Sequence, residues 1–465
     1  MILSLSNCCR LVPLLLAGAT TAVALPVVAQ TPHPRVVRSV PPKKATDSVA
    51  RKGRETEVID GAWKFRTDPQ NSGEQESWQK TPPDETKEIT VPSVWTTLAA
   101  PGYSGVAWYW REVEPTVKWK KQTVRLRFEA VSEKSTVWIN GTKLGDHEGG
   151  ATPFEFNVTK SLHFGDKNII AVRVEGEAKR GAGIWQGVLL LAHDEAYMSE
   201  VSLTPGGLGQ LSTALTLENT SDNSGVATLD GRVILLSKPD KDVHRSEQNL
   251  SLTPGRNITT LFTSVKGKNL HQWTLETPVL YGLQLAFRQG LDVLDTQETD
   301  FGFREFGWKD GAITLNGLPF KPVSVEPAFP LPVVVASTAD SDRARASFQR
   351  LKKAGVSVVY LDAPQPELLH IADEVGMLIV ESPRPELTSR AAFDELQALL
   401  VRDRSHPCVM AWRLREPNVL QISLLRSADP SRFVFIGTSA ATKLFLPGQA
   451  SGDSVAIPPG ILPIP

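Results

Sequence analysis

The spacing of the apolar residues changes near Asn316, and this change constrains the fold more than any other feature. From Val58 onward, short runs alternate apolar and polar residues, and turn-forming pairs such as Asn140-Gly141 separate them. This pattern is typical of antiparallel β-sandwiches. After Asn316, helical periods such as 340–354 alternate with short apolar runs such as 356–361, which predicts βα units around a parallel sheet. We therefore predict a multidomain protein that is β first and α/β afterwards.

The first 29 residues predict export. Arg10 precedes an apolar run at 11–28, and small residues stand before Gln30, as in a secretory signal peptide. An uncleaved membrane anchor is the alternative, because a run of about 18 residues is just long enough to span a bilayer. With cleavage, we expect a secreted or periplasmic protein that has no membrane contact. The Pro-rich segment 30–56 then predicts an extended linker.

Composition excludes several classes of function. Lys plus Arg total 50 against 51 for Asp plus Glu, so there is no overall positive field to attract nucleic acid. Cleavage of the leader leaves Cys408 as the single cysteine, which prevents an internal disulfide. The eight histidines show no metal-binding spacing, and we expect neither a metal nor a cofactor.

Several short motifs follow one another in a fixed order. They include DGAWKF at 60–65, VPSVW at 91–95, YSGVAWY at 103–109, HEGGATPF at 147–154, GIWQ at 183–186, GFRE at 302–305 and RDRSHP at 402–407. Together they resemble glycoside hydrolase family 2, which includes β-galactosidases, β-glucuronidases and β-mannosidases.

The resemblance implies three folded domains. They are a jelly-roll β-sandwich at 57–197, an immunoglobulin-like β-sandwich at 198–306 and a partial (β/α) barrel at 307–446. The Gly- and Pro-rich composition of 447–465 predicts a disordered tail. Only 150 residues run from Asn316 to Pro465, whereas a full eight-stranded barrel takes about 250. We therefore expect a partial barrel, whose open sheet edge needs cover from the tail or a partner. The oligomeric state stays open.

The resemblance also locates the catalytic groups, and they are altered. The family's acid/base is the glutamate that closes a Trp-Ser-Leu-Gly-Asn-Glu strand end, where this chain reads WRLREP at 412–417. If this segment is aligned with the family motif without a gap, Pro417 corresponds to the glutamate. If one residue is deleted in this chain, Glu416 corresponds to it. Only 49 residues follow Glu416, and no acid among them resembles the family's nucleophile. The family's Arg and His in the second strand's motif correspond to Tyr360 and Asp362.

Other residues are weaker candidates for the site. Glu381 ends an apolar strand and forms a conceivable carboxyl pair with Glu416, although a solvated acid at a strand end is the simpler interpretation. Trp110, with Trp78 and Trp119, is a candidate for stacking on a sugar. Glu177 precedes the GIWQ motif, where some family members place an acid that reaches the sugar.

Three functions are consistent with these observations. The first is an exported protein that recognises β-linked carbohydrate, or serves as a scaffold, without hydrolysing it. The second is a retaining β-glycosidase with Glu416 as acid/base. The third is a truncated product without a stable function. The altered barrel favours the first.

Overall fold

The computed structural model describes residues 53–261, 264–267, 269–325, 334–383, 390–415, 419–437, 443–445, 447 and 455–456. The predicted signal peptide, most of the predicted linker and Glu416 lie outside these residues. Across the described part of the chain, no helix is both long enough and apolar enough to cross a membrane.

The first domain is a sandwich of two antiparallel sheets. Its elements are β1 (Glu55–Val58), β2 (Gly61–Asp68), β3 (Lys87–Val91), the helical turn α1 (Trp95–Leu98), β4 (Gly105–Val113), β5 (Thr123–Phe128), β6 (Lys134–Ile139), β7 (Thr142–Glu148), β8 (Phe154–Asn157), β9 (Asn168–Gly176) and β10 (Val188–His193). The strand orders are β1-β10-β5-β8 and β3-β2-β4-β9-β6-β7. The predicted alternation is confirmed, since apolar side chains from both sheets meet in one core.

Strand β4 shows that the larger sheet is buried on both faces. Ala107 and Tyr109 point into the main core. Trp108 and Trp110 alternate with them, and therefore lie on the outer face. There they pack against Trp78 from the connection between β2 and β3.

The second domain is also a β-sandwich. Its strands are β11 (Ala196–Pro205), β12 (Leu211–Asn219), β13 (Gly225–Leu235), β14 (Lys238–Leu252), β15 (Gly255–Thr260), β16 (Tyr281–Gln289) and β17 (Asp292–Phe301). They form antiparallel sheets of order β11-β12-β15 and β14-β13-β16-β17. The sheets enclose a separate apolar core, as expected for an immunoglobulin-like sandwich of about this length.

The third domain starts with a short antiparallel meander and continues as α/β units. The elements are β18 (Phe306–Lys309), β19 (Ala312–Leu315), β20 (Leu318–Pro319), β21 (Ser324–Val325), α2 (Thr338–Lys353), β22 (Val358–Asp362), α3 (Pro366–Val375), β23 (Leu378–Ser382), α4 (Arg390–Asp403), β24 (Val409–Leu414), α5 (Val419–Ala428), β25 (Phe433–Ile436), β26 (Lys443–Phe445) and β27 (Val455–Ala456). Strands β21 to β25 are adjacent and parallel. The predicted parallel sheet is confirmed.

Local sequence signals set the helix ends in this domain. The Ser337 side chain accepts a hydrogen bond from the backbone N–H of Asp340 and caps α2. Helix α3 has Pro366 in its first turn and ends at Gly376, whose φ is 74°. A side chain at Gly376 would lie 2.2 Å from the carbonyl oxygen of Leu275, so glycine is required both for the left-handed turn and for this close approach.

The edge of the parallel sheet is covered by strands of the opposite direction. Strand β26 pairs antiparallel with β25, and β27 pairs antiparallel with β26. Val455–Ala456, within the tail predicted to be disordered at 447–465, thus pairs with β26. The sheet thus departs from the all-parallel order of a closed barrel.

Charged side chains connect the first two domains. Arg54 and Asp295 form a buried ion pair of 2.8 Å, and the same carboxylate accepts the backbone N–H of Met198 at 2.8 Å. Beside this pair, the imidazole of His193 is 1% exposed and stacks on Tyr197 with ring centroids 3.7 Å apart. Burial, together with the neighbouring Arg54 guanidinium, lowers the pKa of His193 to about 3.

Lowering the pH should destabilise this junction, because unfolding allows His193 to bind a proton. The unfolded chain binds a proton at His193 below about pH 6.5, whereas the folded chain does so only near pH 3. Stability is therefore full above about pH 6.5 and falls by up to ~1.4 kcal/mol per pH unit below it. We expect His193→Gln to reduce this slope in urea unfolding measured from pH 7 to pH 4, and the exposed His163→Gln to leave it unchanged. Equal slopes in wild type and His193→Gln would contradict the assignment.

The third domain is attached to the second through a buried arginine, Arg304. Arg304, which follows β17, lies over the Phe306 ring at 4.6 Å and donates hydrogen bonds to the carbonyls of Pro407 and Val409 at 3.3 Å. Arg432 binds the carbonyl of His406 at 2.8 Å. The GFRE and RDRSHP motifs therefore meet in space and join the two domains.

The third domain also packs directly on the first. Arg402 of α4 donates hydrogen bonds to the carbonyls of Ala151 at 2.6 Å and Pro364 at 2.8 Å. Glu395 of the same helix accepts the backbone N–H groups of Gly150 and Ala151, and the Gln365 side chain donates to the carbonyl of Trp185 at 3.0 Å. The HEGGATPF and GIWQ motifs of the jelly roll thus form its contact with the α/β domain.

Candidate functional site

The two faces of the parallel sheet differ in what they contact. Glu381 and Trp412 are register partners on β23 and β24. Glu381 interacts with Asp403 of α4, and Trp412 donates to Asp429, just after α5. Both side chains therefore lie on the face covered by helices. Because side chains alternate along a strand, the neighbouring residues point to the opposite face, which we call the inner face.

Polar side chains gather on the inner face where the parallel strands end. They are Tyr360, Asp362, Ser382, Arg413 and Arg415, and we call this group the edge site. In a parallel sheet, the carboxyl ends of the strands are the usual place for ligand-binding groups.

An ion pair crosses the top of the edge site. The Nη2 atom of Arg415 lies 3.3 Å from Oδ2 of Asp362, and the two side chains are 37% and 52% exposed. Below them, the Arg413 guanidinium lies 5.2 Å from the centroid of the Tyr360 ring, and both side chains are buried. Residues from β22 and β24 thus meet across β23, with Ser382 at the end of the intervening strand.

The backbone after Asp362 turns sharply. Ala363 has a φ of 38°, a conformation that L-residues rarely adopt, and its N–H donates to the carbonyl of Ser382 at 2.7 Å. The Ala363 methyl group belongs to an apolar cluster that includes Trp185 and Leu399. Packing against the jelly roll and α4 therefore holds the turn that positions Asp362.

Two polar atoms of the edge site lack a hydrogen-bond partner in the described structure. They are the hydroxyl of Ser382 and the Nε atom of Arg415, and both atoms are buried. A buried donor without a partner costs about 1–3 kcal/mol. The edge site therefore has unused hydrogen-bonding capacity.

The structure places Glu381, the candidate partner of Glu416, away from the edge site. Its side chain is fully buried on the helix face. Burial raises the pKa of Glu381 well above its usual value, and the Asp403 carboxylate beside it raises the pKa further, against the opposing effect of Arg402. These effects favour the neutral form of Glu381, and its side chain belongs to the contact between the sheet and α4.

The structure buries Trp110, the candidate for stacking on a sugar. Trp110 is 2% exposed, and its indole N–H donates to the carbonyl of Trp78 at 2.7 Å. Its ring stacks on Trp108 with centroids 6.1 Å apart. Trp78 and Trp119 are buried as well, so none of the three offers a free ring face.

The remaining sequence candidates stay predictions. Glu177 follows β9 with a side chain that is 43% exposed and lies 3.3 Å from the Lys179 ammonium group. Its loop leads to Trp185, which packs on Ala363 beside the edge site. Glu416 lies outside the described residues, directly after Arg415.

One cluster of metal-ligand types escaped the sequence analysis. Ligand atoms of Asp373, His406 and Cys408 lie within 4.8 Å of one another and are buried. Asp373 binds the His406 ring nitrogen Nδ1 at 2.5 Å and accepts the backbone N–H of Cys408 at 2.8 Å. The hydrogen bonds within the cluster connect α3 to the loop before β24, which is a structural role.

Two family models match the chain in succession. The model for the sugar binding domain of glycosyl hydrolases family 2 matches residues 96–199, and the model for glycosyl hydrolases family 2 matches residues 196–304. Both matches fall on the two β-sandwiches.

Curated relatives and solved structures agree with these matches. A β-galactosidase of Thermoanaerobacter pseudethanolicus is 25% identical over 67% of this chain and 45% of its own length. A β-glucuronidase of Formosa agariphila is 24% identical over 67% of this chain and 36% of its own length. The chain therefore spans less than half the length of these relatives.

The structural likeness extends beyond the two sandwiches. A solved β-glucuronidase of Bacteroides uniformis, covalently bound to cyclophellitol-6-carboxylate aziridine, superposes with a TM-score of 0.68. The superposition covers 82% of this chain and 52% of that one, at 21% sequence identity, and so it supports the fold alone. The two consecutive matches show that residues 96–304 of this chain carry domains of glycosyl hydrolases family 2.

Proposed function

We propose that this protein binds carbohydrate at the edge site without hydrolysing it. The observation that carries the proposal is the number of carboxyl groups on the inner face. Among the described residues of the edge site, Asp362 is the only carboxylate, and it is paired with Arg415. Retaining hydrolysis needs two carboxyl groups about 5 Å apart, one as acid and one as nucleophile.

The strand order after β25 supports the same proposal. In a complete barrel, further parallel strands bring further residues to the carboxyl edge. Here β26 occupies the position beside β25 and runs in the opposite direction. The antiparallel segment 443–445 therefore occupies the place that the next parallel strand takes in a complete barrel.

The relatives favour a role with sugars, and they define the competing function. They are named as a β-galactosidase and a β-glucuronidase. If this chain is active, Glu416 is the best available acid/base, because it follows the β24 strand end. That alternative requires a second carboxyl group from outside the described residues. A scaffold role without sugar binding is the other alternative.

Export is part of the proposal. The leader at 1–29 supports it through its basic residue, its apolar run and the small residues before Gln30. A carbohydrate-binding protein outside the cytoplasm would meet polysaccharide directly.

Turnover by purified protein tests the proposal. We expect no release of nitrophenol from p-nitrophenyl β-galactoside, β-glucuronide or β-mannoside, with wild type and Glu416→Gln indistinguishable, because the carboxyl pair is incomplete. Release by wild type that Glu416→Gln abolishes would contradict the proposal. In that case the chain is a glycosidase with Glu416 as its acid/base.

A further inference from the structure

We propose that a patch on the first sandwich binds the surface of an anionic phospholipid membrane. The patch consists of the 3₁₀ turn Val117–Lys121, which joins β4 to β5, and the loop 158–167, which joins β8 to β9. We call it the lysine patch. It belongs to a different domain from the edge site, so the proposal goes beyond carbohydrate binding. The sequence predicts no membrane contact after cleavage of the leader, and the proposal departs from that prediction at this surface alone.

Backbone contacts bring the turn and the loop together. The N–H of Gly165 donates to the carbonyl of Pro115 at 2.8 Å, and a side chain at Gly165 would lie 2.7 Å from Cγ1 of Val117. The hydroxyl of Thr159 accepts the backbone N–H of Val124, in β5, at 2.8 Å. The two segments therefore present their exposed side chains as one surface.

The lysine patch has an excess of positive charge. Its two segments contain five lysines and one acid, Asp166. Among the described residues, four of these lysines are exposed and form no ion pair: Lys118, Lys120, Lys121 and Lys160. Of the two acids that precede the turn, Glu112 and Glu114, the first is already bound by Lys167 at 2.7 Å. Ammonium groups without a protein partner are available to bind phosphate groups.

An exposed apolar side chain lies beside these lysines. Val117 is 63% exposed, whereas Trp119 is 4% exposed and holds the turn by donating its indole N–H to Glu55 at 2.8 Å. At a membrane, lysines bind the anionic headgroups while an apolar side chain enters the boundary between headgroups and acyl chains. A soluble polyanion would use the lysines but would gain little from Val117. The combination therefore favours a membrane surface.

The segment that precedes the first strand has the same sign of charge. The hydrogen bond between Trp119 and Glu55 places the start of β1 beside the turn. The sequence 31–52, which leads toward this strand, contains six Lys or Arg residues and one acid, Asp47. Its positive charge adds to the attraction between this part of the protein and an anionic surface.

Vesicle binding tests the proposal. The protein, purified without the leader at 1–29, is sedimented with vesicles of phosphatidylcholine and with vesicles of equal parts phosphatidylcholine and phosphatidylglycerol. The test variant combines Lys120→Glu with Lys121→Glu. The matched control combines Lys238→Glu with Lys241→Glu, which makes the same change of charge on exposed lysines of β14 in the second sandwich. Val117→Ser tests the apolar contact, and polygalacturonate serves as a soluble polyanion.

We expect wild type to bind the phosphatidylglycerol vesicles at least about ten-fold more tightly than phosphatidylcholine alone. The test variant should weaken this binding at least about twenty-fold, because each lysine near an anionic surface contributes about five-fold. The control should weaken it less than about three-fold at physiological salt, where distant charges are screened. Val117→Ser should weaken it about three-fold or more. Circular dichroism spectra that match wild type would show that the variants fold.

The contrary outcomes are equally distinct. Equal losses in the test and control variants would show that net charge alone matters, and would overturn the assignment to the lysine patch. Equal binding to both kinds of vesicle would overturn the anionic ligand. Binding to polygalacturonate without binding to vesicles, or unchanged vesicle binding by Val117→Ser, would show a polyanion site instead of a membrane contact. Carbohydrate binding at the edge site is measured separately with glycosides, so it stands or fails independently.

Discussion

Replacement of Arg432 by methionine should lower the free energy of unfolding of the α/β domain by about 3–5 kcal/mol. Arg432 is fully buried and pairs with Asp429 at 2.5 Å. It also donates hydrogen bonds to the carbonyls of Val409 at 2.7 Å, Arg404 at 2.7 Å and His406 at 2.8 Å. The substitution leaves the buried Asp429 carboxylate without its cation and three carbonyls without this donor, and such losses are among the largest that single substitutions cause.

The matched control is Arg343→Met on α2. Arg343 also pairs with an aspartate three residues away, Asp340, but its side chain is 70% exposed. Exposed pairs contribute about 0–1 kcal/mol, so urea unfolding should separate the two variants clearly. Similar losses for both variants would contradict the role given to burial.

Replacement of Arg402 by methionine should also lower the free energy of unfolding by about 3–5 kcal/mol, and it should loosen the jelly roll from the α/β domain. Arg402 donates to Ala151 and Pro364, and it binds both oxygens of Asp403 at 2.6 and 2.7 Å. Without the Arg402 guanidinium, the Asp403 carboxylate stays buried beside Glu381 and loses its partner cation on α4. We expect faster limited proteolysis between the domains, together with the loss of stability.

Glu381→Gln provides the contrasting variant for Arg402→Met. Because burial and Asp403 raise the pKa of Glu381, the folded protein favours the neutral acid there, and an amide of the same shape can replace it. We expect a loss below about 1 kcal/mol near pH 5. Folded Glu381 keeps its proton above pH 4.5 while the unfolded chain releases it, so wild type should lose stability as the pH rises, and Glu381→Gln should lack this slope. A large loss in Glu381→Gln near pH 5 would show that the carboxylate form is present.

The fold could be predicted from the sequence where one periodicity runs through a whole element. The apolar runs 356–361 and 377–380 predict strands, and they become β22 and β23. The change of period near Asn316 separates the sandwiches from the α/β domain for the same reason. Strand β26 was missed because its three residues lie among Gly and Pro, and only the free edge of β25 determines their pairing.

The site could be predicted less well, because the face of a strand depends on register. Glu381 lies near the end of β23, where successive side chains point to opposite faces of the sheet. A shift of one position along the strand therefore moves a side chain from the α4 side to the inner face. Its neighbour Ser382 lies on the inner face instead. Asp362 and Arg415 are 53 residues apart, and they meet only because β22 and β24 both flank β23.

The sequence also does not predict that the tryptophans are buried. Alternation along β4 shows that Trp108 and Trp110 share one face, but not that this face is covered. The covering residue, Trp78, belongs to an irregular connection without periodicity. A cluster of aromatic residues therefore indicates a core as readily as it indicates a sugar-binding surface.

The motifs that reveal the family have a structural role in this chain. Gly150 and Ala151 bind Glu395 and Arg402, while Arg304 binds the loop before β24. These motifs therefore join the domains of this chain.

One NMR sample can report binding and hydrolysis together. Wild type is incubated with p-nitrophenyl β-glucoside, β-galactoside or β-mannoside; saturation transfer to the sugar ring protons reports binding, and the anomeric proton signal reports the intact bond. We expect saturation transfer from at least one glycoside while its anomeric signal stays constant overnight. Decay of that signal, or the absence of saturation transfer to every sugar, would contradict carbohydrate recognition without hydrolysis.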